Sequence, residues 1–314
     1  MRKVMLRSSA YILVLIAVSI ATCSPAQSQQ FSDWSAPVNL GPVINTANDD
    51  GGPFISRDGL TLCFDSAKPG GFGGADLYVS HRASRESPWD TPINLGSTVN
   101  TSYHENACNM SPDEHRLIFQ SNRPGGEGVQ DLYVTRRHGS KQNDFRWMTP
   151  QNLGYPINTS DGEYHPTFYE DDATGTITLQ FSRIIGGNPM TADIYASTLL
   201  PDETWGPVLP VTELNSQGYI DLAPTFRRDG LEVFFASNRP GSFGIDDLWV
   251  ATRLSPYDPW SAPVNLGSVV NCSECNQGHP SLSADGTALY FYSNRPGGYG
   301  RLDVWVITRT RIKE

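Results

Sequence analysis

Beyond residue 30 the apolar positions of this chain fall in short runs, rich in β-branched and aromatic side chains and separated by Gly, Asn, Asp and Pro. Runs of that length, bounded by turn formers, predict strands, and no amphipathic helical stretch of ordinary length interrupts them. The unit beginning at Cys108 is representative. Cys108–Ser111 is a first strand, Pro112-Asp113-Glu114 a tight turn, Arg116–Gln120 a second strand and Ser121–Gly128 a glycine-rich loop. Asp131–Arg136 is a third strand, His138–Asp144 a polar excursion, and Trp147–Leu153 a fourth strand ending at Gly154. First strands of the other units begin at Pro53, Pro166, Pro224 and Pro280. The turns behind them read Arg57-Asp58-Gly59, Glu170-Asp171-Asp172, Arg228-Asp229-Gly230 and Ala284-Asp285-Gly286. Asp-Gly marks a hairpin because glycine tolerates the positive φ such turns require.

The units repeat. A Trp-x-x-Pro phrase or a close variant begins at Trp34, Trp89, Trp147, Trp205 and Trp260, at spacings of 55, 58, 58 and 55 residues. Repeats of this size, each holding four short antiparallel strands, predict propeller blades. The last unit stops at Glu314 without its Trp strand, whereas Trp34–Gly41 precedes the first full unit and nearly repeats Trp260–Gly267. The expected fold is therefore all-β: a single five-bladed β-propeller over residues 27–314, closed by pairing the N-terminal strand with the C-terminal blade. The closing strand occupies 31–48 and the repeats about 49–105, 106–163, 164–221, 222–277 and 278–314. Closure of this kind removes exposed strand edges.

Three units carry a further phrase: Ser121-Asn122-Arg123-Pro124-Gly125-Gly126, Ser237-Asn238-Arg239-Pro240-Gly241 and Ser293-Asn294-Arg295-Pro296-Gly297-Gly298. Each leads into Asp and an apolar strand, as in Asp131-Leu132-Tyr133-Val134. These phrases resemble the exported WD40-like β-propeller repeat family, which includes the propeller of the periplasmic Tol-system protein. The resemblance spans residues 31–314 and departs in the third unit, where Phe181–Met190 lacks the loop phrase. It implies a mostly structural, binding role, although one fold hosts many functions.

The first residues change the picture of where the chain works. Arg2, Lys3 and Arg7 precede an apolar run, Tyr11–Ala21, too short to span a bilayer. With Ser24-Pro25-Ala26 this predicts a signal peptide over 1–26, with lipidation at Cys23 as the rival reading. Cleavage removes three of 23 basic residues against 33 acidic ones, leaving a net charge of −13. Nucleic acid and anionic membrane surfaces are thereby excluded as partners. Cys272 and Cys275 lie too few and too alone for zinc, so a local disulfide is expected; Cys63 and Cys108 read as buried thiols.

Comparing the five units with one another separates scaffold from candidate chemistry. The loop residues Arg123, Arg239 and Arg295, with Lys68 in the first unit, are expected to pair with the recurring Asp76, Asp131, Asp193, Asp247 and Asp303. The tryptophans are expected to pack between blades. Three residues before each first-strand Pro or its equivalent stand Asp50, Glu105, Glu163, Asp221 and Gln277, where four carboxylates would surround the axial mouth. Such a ring would bind a cation, supply paired carboxylates for glycoside chemistry, or cap the turns begun by Asn45, Asn100, Asn158, Asn215 and Asn271. One residue before the same Pro the units read Gly52, Ala107, His165, Ala223 and His279, so two histidines break the repeat. The axial-face candidates are thus Asp50, Glu105, Glu163, Asp221, His165 and His279, and no residue stands out as catalytic. The sequence calls for no cofactor, with Ca2+ in the acidic ring as the alternative. The expected function is an exported, non-catalytic binding module of the cell envelope, recognising a protein or glycan on its axial face. The alternative is a carbohydrate-active enzyme, a glycoside hydrolase or lyase, working through axial carboxylates.

Overall fold

Each blade begins where a hydrogen-bonded turn hands the chain to an inner strand. In a computed structural model that describes residues 30–138, 146–171, 174–188, 190 and 192–312, a short strand β1 (Val38–Asn39) comes first. Blade one holds β2 (Asp50–Ile55), β3 (Thr61–Ser66), β4 (Asp76–His81) and β5 (Ile93–Asn94). Blade two holds β6 (Glu105–Met110), β7 (Arg116–Ser121), β8 (Asp131–Arg136) and β9 (Gln151–Asn152). Blade three holds β10 (Gly162–Glu170), β11 (Ile177–Ile184), β12 (Ala192–Thr198) and β13 (Leu209–Pro210). Blade four holds β14 (Asp221–Phe226), β15 (Glu232–Ser237), β16 (Asp247–Thr252) and β17 (Val264–Asn265). Blade five holds β18 (Gln277–Leu282), β19 (Ala288–Ser293) and β20 (Asp303–Thr308), and takes β1 as its fourth strand. All five sheets are antiparallel, and the five inner strands touch in ring order, β18 meeting β2.

The ring closes as expected. Val38 pairs with Val306 and Asn39 with Trp305, and a further bridge joins Phe31 to Arg311. The predicted signal peptide and Cys23 lie outside the described residues, as does most of the His138–Asp144 excursion. Among the described residues no helix is long and apolar enough to cross a membrane.

Two strand assignments shift, for physical reasons. The inner strands start about three residues before the proline, because the ring residue itself is paired: Asp50 opposite Ser66, Glu105 opposite Ser121. The fourth strands shrink to two residues, and in four blades they begin directly after the Pro of Trp-x-x-Pro (Pro37, Pro92, Pro150, Pro263). Proline has no N–H to give a ladder.

The core lies between blades. Cys63, Leu77, Val79, Leu95 and Val99 of blade one pack with Met110, Leu117, Phe119 and Tyr133 of blade two. Each fully buried side chain of that size stabilises by about 1.5–3 kcal/mol. Cys63 and Cys108, expected as separate thiols, form a disulfide across this interface, their Cα atoms 6.3 Å apart. The expected Cys272–Cys275 disulfide is also present. The tryptophans pack between blades as expected, Trp34 against Phe234 of blade four and Trp89 in the cluster that holds Tyr290 of blade five. Four of them lie against an arginine at the end of a third strand, with Arg309 4.4 Å from the Trp34 ring, Arg82 4.3 Å from Trp89, Arg137 4.7 Å from Trp147 and Arg253 4.1 Å from Trp260. Each of these arginines also donates to a carbonyl of its blade's hairpin turn, so one side chain clamps turn to Trp strand.

Candidate functional site

The acidic ring exists, but it is internal. Asp50, Glu105, Glu163 and Asp221 are all fully buried. Each carboxylate closes the turn that precedes its strand. Thr46 N–H and its hydroxyl donate to Asp50 Oδ2 at 2.5 and 2.9 Å, and Thr101 N–H and its hydroxyl donate to Glu105 at 2.7 Å each. Thr159 serves Glu163 in the same way, and Ser216 N–H donates to Asp221 at 2.5 Å. The asparagine before each of these residues is fixed too. Asn45, Asn100, Asn158, Asn215 and Asn271 each accept a third-strand N–H, for example Leu77 N–H to Asn100 at 2.9 Å.

Three of these carboxylates also take an arginine, from the loop in blades two and four and from the end of β11 in blade three. Arg123 lies 3.0 Å from Glu105, Arg183 2.9 Å from Glu163, and Arg239 pairs with Asp221. The expected pairing of loop arginine with strand aspartate is therefore corrected. Asp76, Asp131, Asp247 and Asp303 instead accept the loop's own N–H groups, such as Glu127 N–H to Asp131 at 2.7 Å. In blade five the ring residue is Gln277, and burial without a carboxylate lowers Arg295 to about 10. Burial pushes Asp50, Glu163 and Asp221 up against these donors. Apart from Asp50 Oδ1, their oxygens already face protein donors, which leaves the ring as a set of turn clamps. Among the described residues no group of three or more His, Cys, Asp or Glu is placed to hold a metal ion.

Two residues further along each inner strand the backbone bulges. Register slips between Gly51 and Phe54, Asn106 and Asn109, Tyr164 and Thr167, Leu222 and Thr225, and Gly278 and Ser281. The bulge residue takes positive φ in every blade: 51° at Gly52, 54° at Ala107, 52° at His165, 53° at Ala223 and 49° at His279. For a residue with a Cβ this conformation costs of order 1 kcal/mol or more. It aims the side chain inward. His165 and His279 belong to blades that are not neighbours, yet their rings are 5.3 Å apart. The two histidines singled out by the broken repeat thus face each other in the channel. Burial holds His165 down to about 3, with the neighbouring His279 adding to the effect, and holds His279 down to about 4, so both are neutral at neutral pH. Nδ1 of each ring has no hydrogen-bond partner among the described residues.

A second set of residues flanks the bulges, and sequence reasoning missed it. Opposite each bulge the second strand carries Asp65, Gln120, Ser182, Ala236 or Tyr292, a different residue in every blade. These side chains reach into the next blade. Ala107 N–H donates to Asp65 at 2.9 Å, His165 N–H to Gln120 at 2.8 Å and Ala223 N–H to Ser182 at 3.0 Å. The ring of Tyr292 passes over Gly278 and Gly51, where a Cβ at Gly278 would strike the phenol and one at Gly51 would sit 3.8 Å from it. Gly278 is therefore required by close approach, whereas a Cβ at Gly51 would make an ordinary contact. Asp65 leans over Gly52 in the same way.

Asp65 is half-buried, and burial pushes its carboxyl up to about 6 against the Ala107 N–H that stabilises its charge. Asp246, just before the recurring Asp247, is pushed up to about 6 by burial and then by Asp247's charge. Tyr292 is raised by burial and by the charges of both Asp246 and Asp65, so it lies within electrostatic reach of each. Two raised carboxyls thus lie within electrostatic reach of one neutral phenol, and two neutral imidazoles face each other at the bulges. Environments that raise carboxyls in this way are those that poise acid–base groups. The signal in the sequence was the disagreement among copies: Asp246 aligns with Ala75, Gln130, Ala192 and Leu302.

No known protein family's profile matches the chain, and no curated protein matches it. Solved structures do. A thermostable family-43 glycoside hydrolase superposes with a TM-score of 0.58 at 12% identity, over 88% of this chain and 93% of that one. The α-L-arabinofuranosidase of Podospora anserina, solved with cellotriose, gives 0.56 at 12% identity, over 88% and 97%. An α-L-arabinofuranosidase from Lactobacillus brevis gives 0.56 at 11% identity, over 88% and 94%. At such identities the likeness establishes the five-bladed propeller, and the finer assignment to WD40-like repeats is not carried by any family profile. The expectation of a non-catalytic binding module is corrected on this ground. The solved propellers named above are glycoside hydrolases, and the acidic ring of the expected binding face is internal framework.

Proposed function

We propose that this chain is a carbohydrate-active enzyme, a glycoside hydrolase or lyase, whose site is the asymmetric axial set rather than the repeated acidic ring. The observation that carries the reading is that Asp65 and Asp246, both within electrostatic reach of Tyr292, have no acidic counterpart at the matching positions of the other blades. Cleaving a glycosidic bond needs one carboxyl that still holds a proton near neutrality and a second group to act as base or nucleophile. Asp65 is the candidate acid, because its carboxylate lies between the bulges of blades one and two. Asp246 is the candidate partner. His165 and His279, neutral and aimed into the channel, would accept hydroxyl protons and orient a sugar. The fold likeness to arabinofuranosidases and a xylosidase makes pentosides the first substrates to try. Export agrees with two disulfides in one chain, since such bonds persist in oxidising compartments.

The test is turnover. Purified protein is assayed on aryl arabinosides and xylosides and on arabinan and xylan, alongside Asp65→Asn and Asp246→Asn. The expected result is measurable hydrolysis or elimination, with each variant lowering kcat/KM by about 100-fold or more. No turnover across the panel, or wild-type turnover in both variants, would sink the reading.

A further inference from the structure

The two disulfides of this chain differ in what can reach them. Cys63 and Cys108 are both fully buried between blades one and two. Cys272 is half-buried and bonded to Cys275, and the two residues between them, Ser273 and Glu274, are exposed. We propose that Cys272–Cys275 is a reversible thiol–disulfide exchange site for a dithiol, and that its reduction loosens the joint between blades four and five. The site goes beyond the glycoside-cleaving reading and does not depend on it.

The bond stands where the other blades use a different device. Cys272 follows Asn271 as Thr46, Thr101, Thr159 and Ser216 follow the matching asparagines. In those four blades the residue's N–H donates to the ring carboxylate. Blade five has Gln277 in the ring, and its amide reaches Cys272 Sγ at 3.0 Å. Hydrogen bonds to a carboxylate are roughly twice as strong as those between neutral groups. The covalent bond thus adds to this turn what charge supplies to the others. It also holds Glu274 at a φ of 63°, where the matching residue of blade four is Gly218 at 82°. A residue with a side chain is kept in the left-handed region while the bond is closed, and opening it lets that residue leave.

The turn is a seam between blades. Ile245 N–H donates to the Cys275 carbonyl at 2.7 Å, and Gln277 N–H donates to the Asp246 carbonyl at 3.0 Å. A Cβ at Gly244 would strike the carbonyl oxygens of both Cys272 and Cys275. The segment that carries Asp246 therefore rests on the backbone of the two cysteines.

The exchange balances with a dithiol as reductant. One of its thiolates attacks Sγ of Cys272, the more exposed residue, the S–S bond breaks, and Cys275 leaves as a thiolate and takes a proton. The second thiolate of the reductant then attacks the mixed disulfide and releases Cys272, which takes the second proton. Two electrons pass to the protein, and the dithiol ends as its own disulfide.

The experiment treats the whole protein with dithiothreitol without denaturant, alkylates with iodoacetamide and maps the labelled peptides by mass. Cys272 and Cys275 are expected to be labelled, and Cys63 and Cys108 to stay joined. Hydrogen exchange at the Ile245 and Gln277 amides should quicken by about tenfold or more, and oxidised dithiothreitol should restore it. The equivalent amides between blades one and two, Gly74 and Glu105, should not change. A Cys272→Ser, Cys275→Ser double variant should exchange like the reduced wild type with or without the dithiol. None of these readouts needs turnover, so their failure is distinct from failure of the enzymatic reading. No label at Cys272 and Cys275, equal label at Cys63 and Cys108, or unchanged exchange at Ile245 and Gln277 after reduction would each overturn the proposal. So would a double variant that exchanges like the oxidised wild type.

Discussion

Two sets of residues surround the channel, one on the inner strands and one mostly on the second strands paired with them, and they obey opposite rules. The outer set, Asp50, Glu105, Glu163 and Asp221, is repeated in four blades, and each member binds the same turn in the same way. The inner set, Asp65, Gln120, Ser182, Ala236 and Tyr292 with Asp246 and the two histidines, changes identity from blade to blade. Both sets contain carboxyls raised by burial, so the raised state alone does not mark a site. What distinguishes them is repetition. A group that does the same job five times serves the architecture, whereas chemistry on a unique substrate requires unequal neighbours.

The largest expected effect that breaks this comparison is on the ring. Glu105→Gln leaves Arg123 without its counter-charge in a buried site and turns an amide N–H₂ toward groups that donate. Removing one partner of a buried pair costs about 3–5 kcal/mol. Chemical denaturation should show a loss of that order, and a change below about 1 kcal/mol would return the ring to the candidate site.

The Cys63–Cys108 disulfide ties blade one to blade two across a separation of 45 residues. In the chain-entropy account a loop of that size is worth about 4 kcal/mol, and engineered or native bonds often deliver less. Replacing both cysteines by alanine should lower stability by up to that amount while leaving axial chemistry intact. If the same replacement abolished turnover in folded protein, the division between framework and site would fail.

The smallest effect concerns pH. Between pH 6.5 and 4 the unfolded chain protonates His165 and His279 while the folded chain does not, so acidification destabilises through them. Asp65 and Asp246 work the other way: held near 6 in the folded chain, they take up protons before the unfolded chain does, so stability from them rises as pH falls from 6 toward 4. The wild type therefore owes a flattened profile to cancellation. In the Asp65→Asn, Asp246→Asn double variant the melting temperature should drop more steeply over this window than in the wild type. Parallel curves would show that the two carboxyls are not raised.

The fold was legible because it is written five times. Strand composition, Asp-Gly turns and Trp spacing fix four strands per blade, and the misplaced Trp34 strand fixes how the ring closes. Strand ends were less legible, since a proline that opens a phrase also ends a ladder, and a bulge between Gly51 and Phe54 leaves no mark in apolar periodicity. The histidines were legible as exceptions to the repeat. Asp65 and Asp246 were not, because each stands alone at its aligned position while the ring carboxylates recur in four copies. The loop arginines were assigned the wrong carboxylate because sequence proximity favours Asp131, whereas the turn geometry brings Glu105 to Arg123.

The most direct measurement takes Asp65→Asn and Glu105→Gln through the same two assays, kcat/KM on the best pentoside and melting temperature. The account predicts that Asp65→Asn loses about 100-fold in turnover with its melting temperature almost unchanged, while Glu105→Gln melts at least about 6 °C lower and keeps wild-type turnover per folded molecule. The reverse pattern, a stable Glu105→Gln without activity and an active Asp65→Asn, would contradict it.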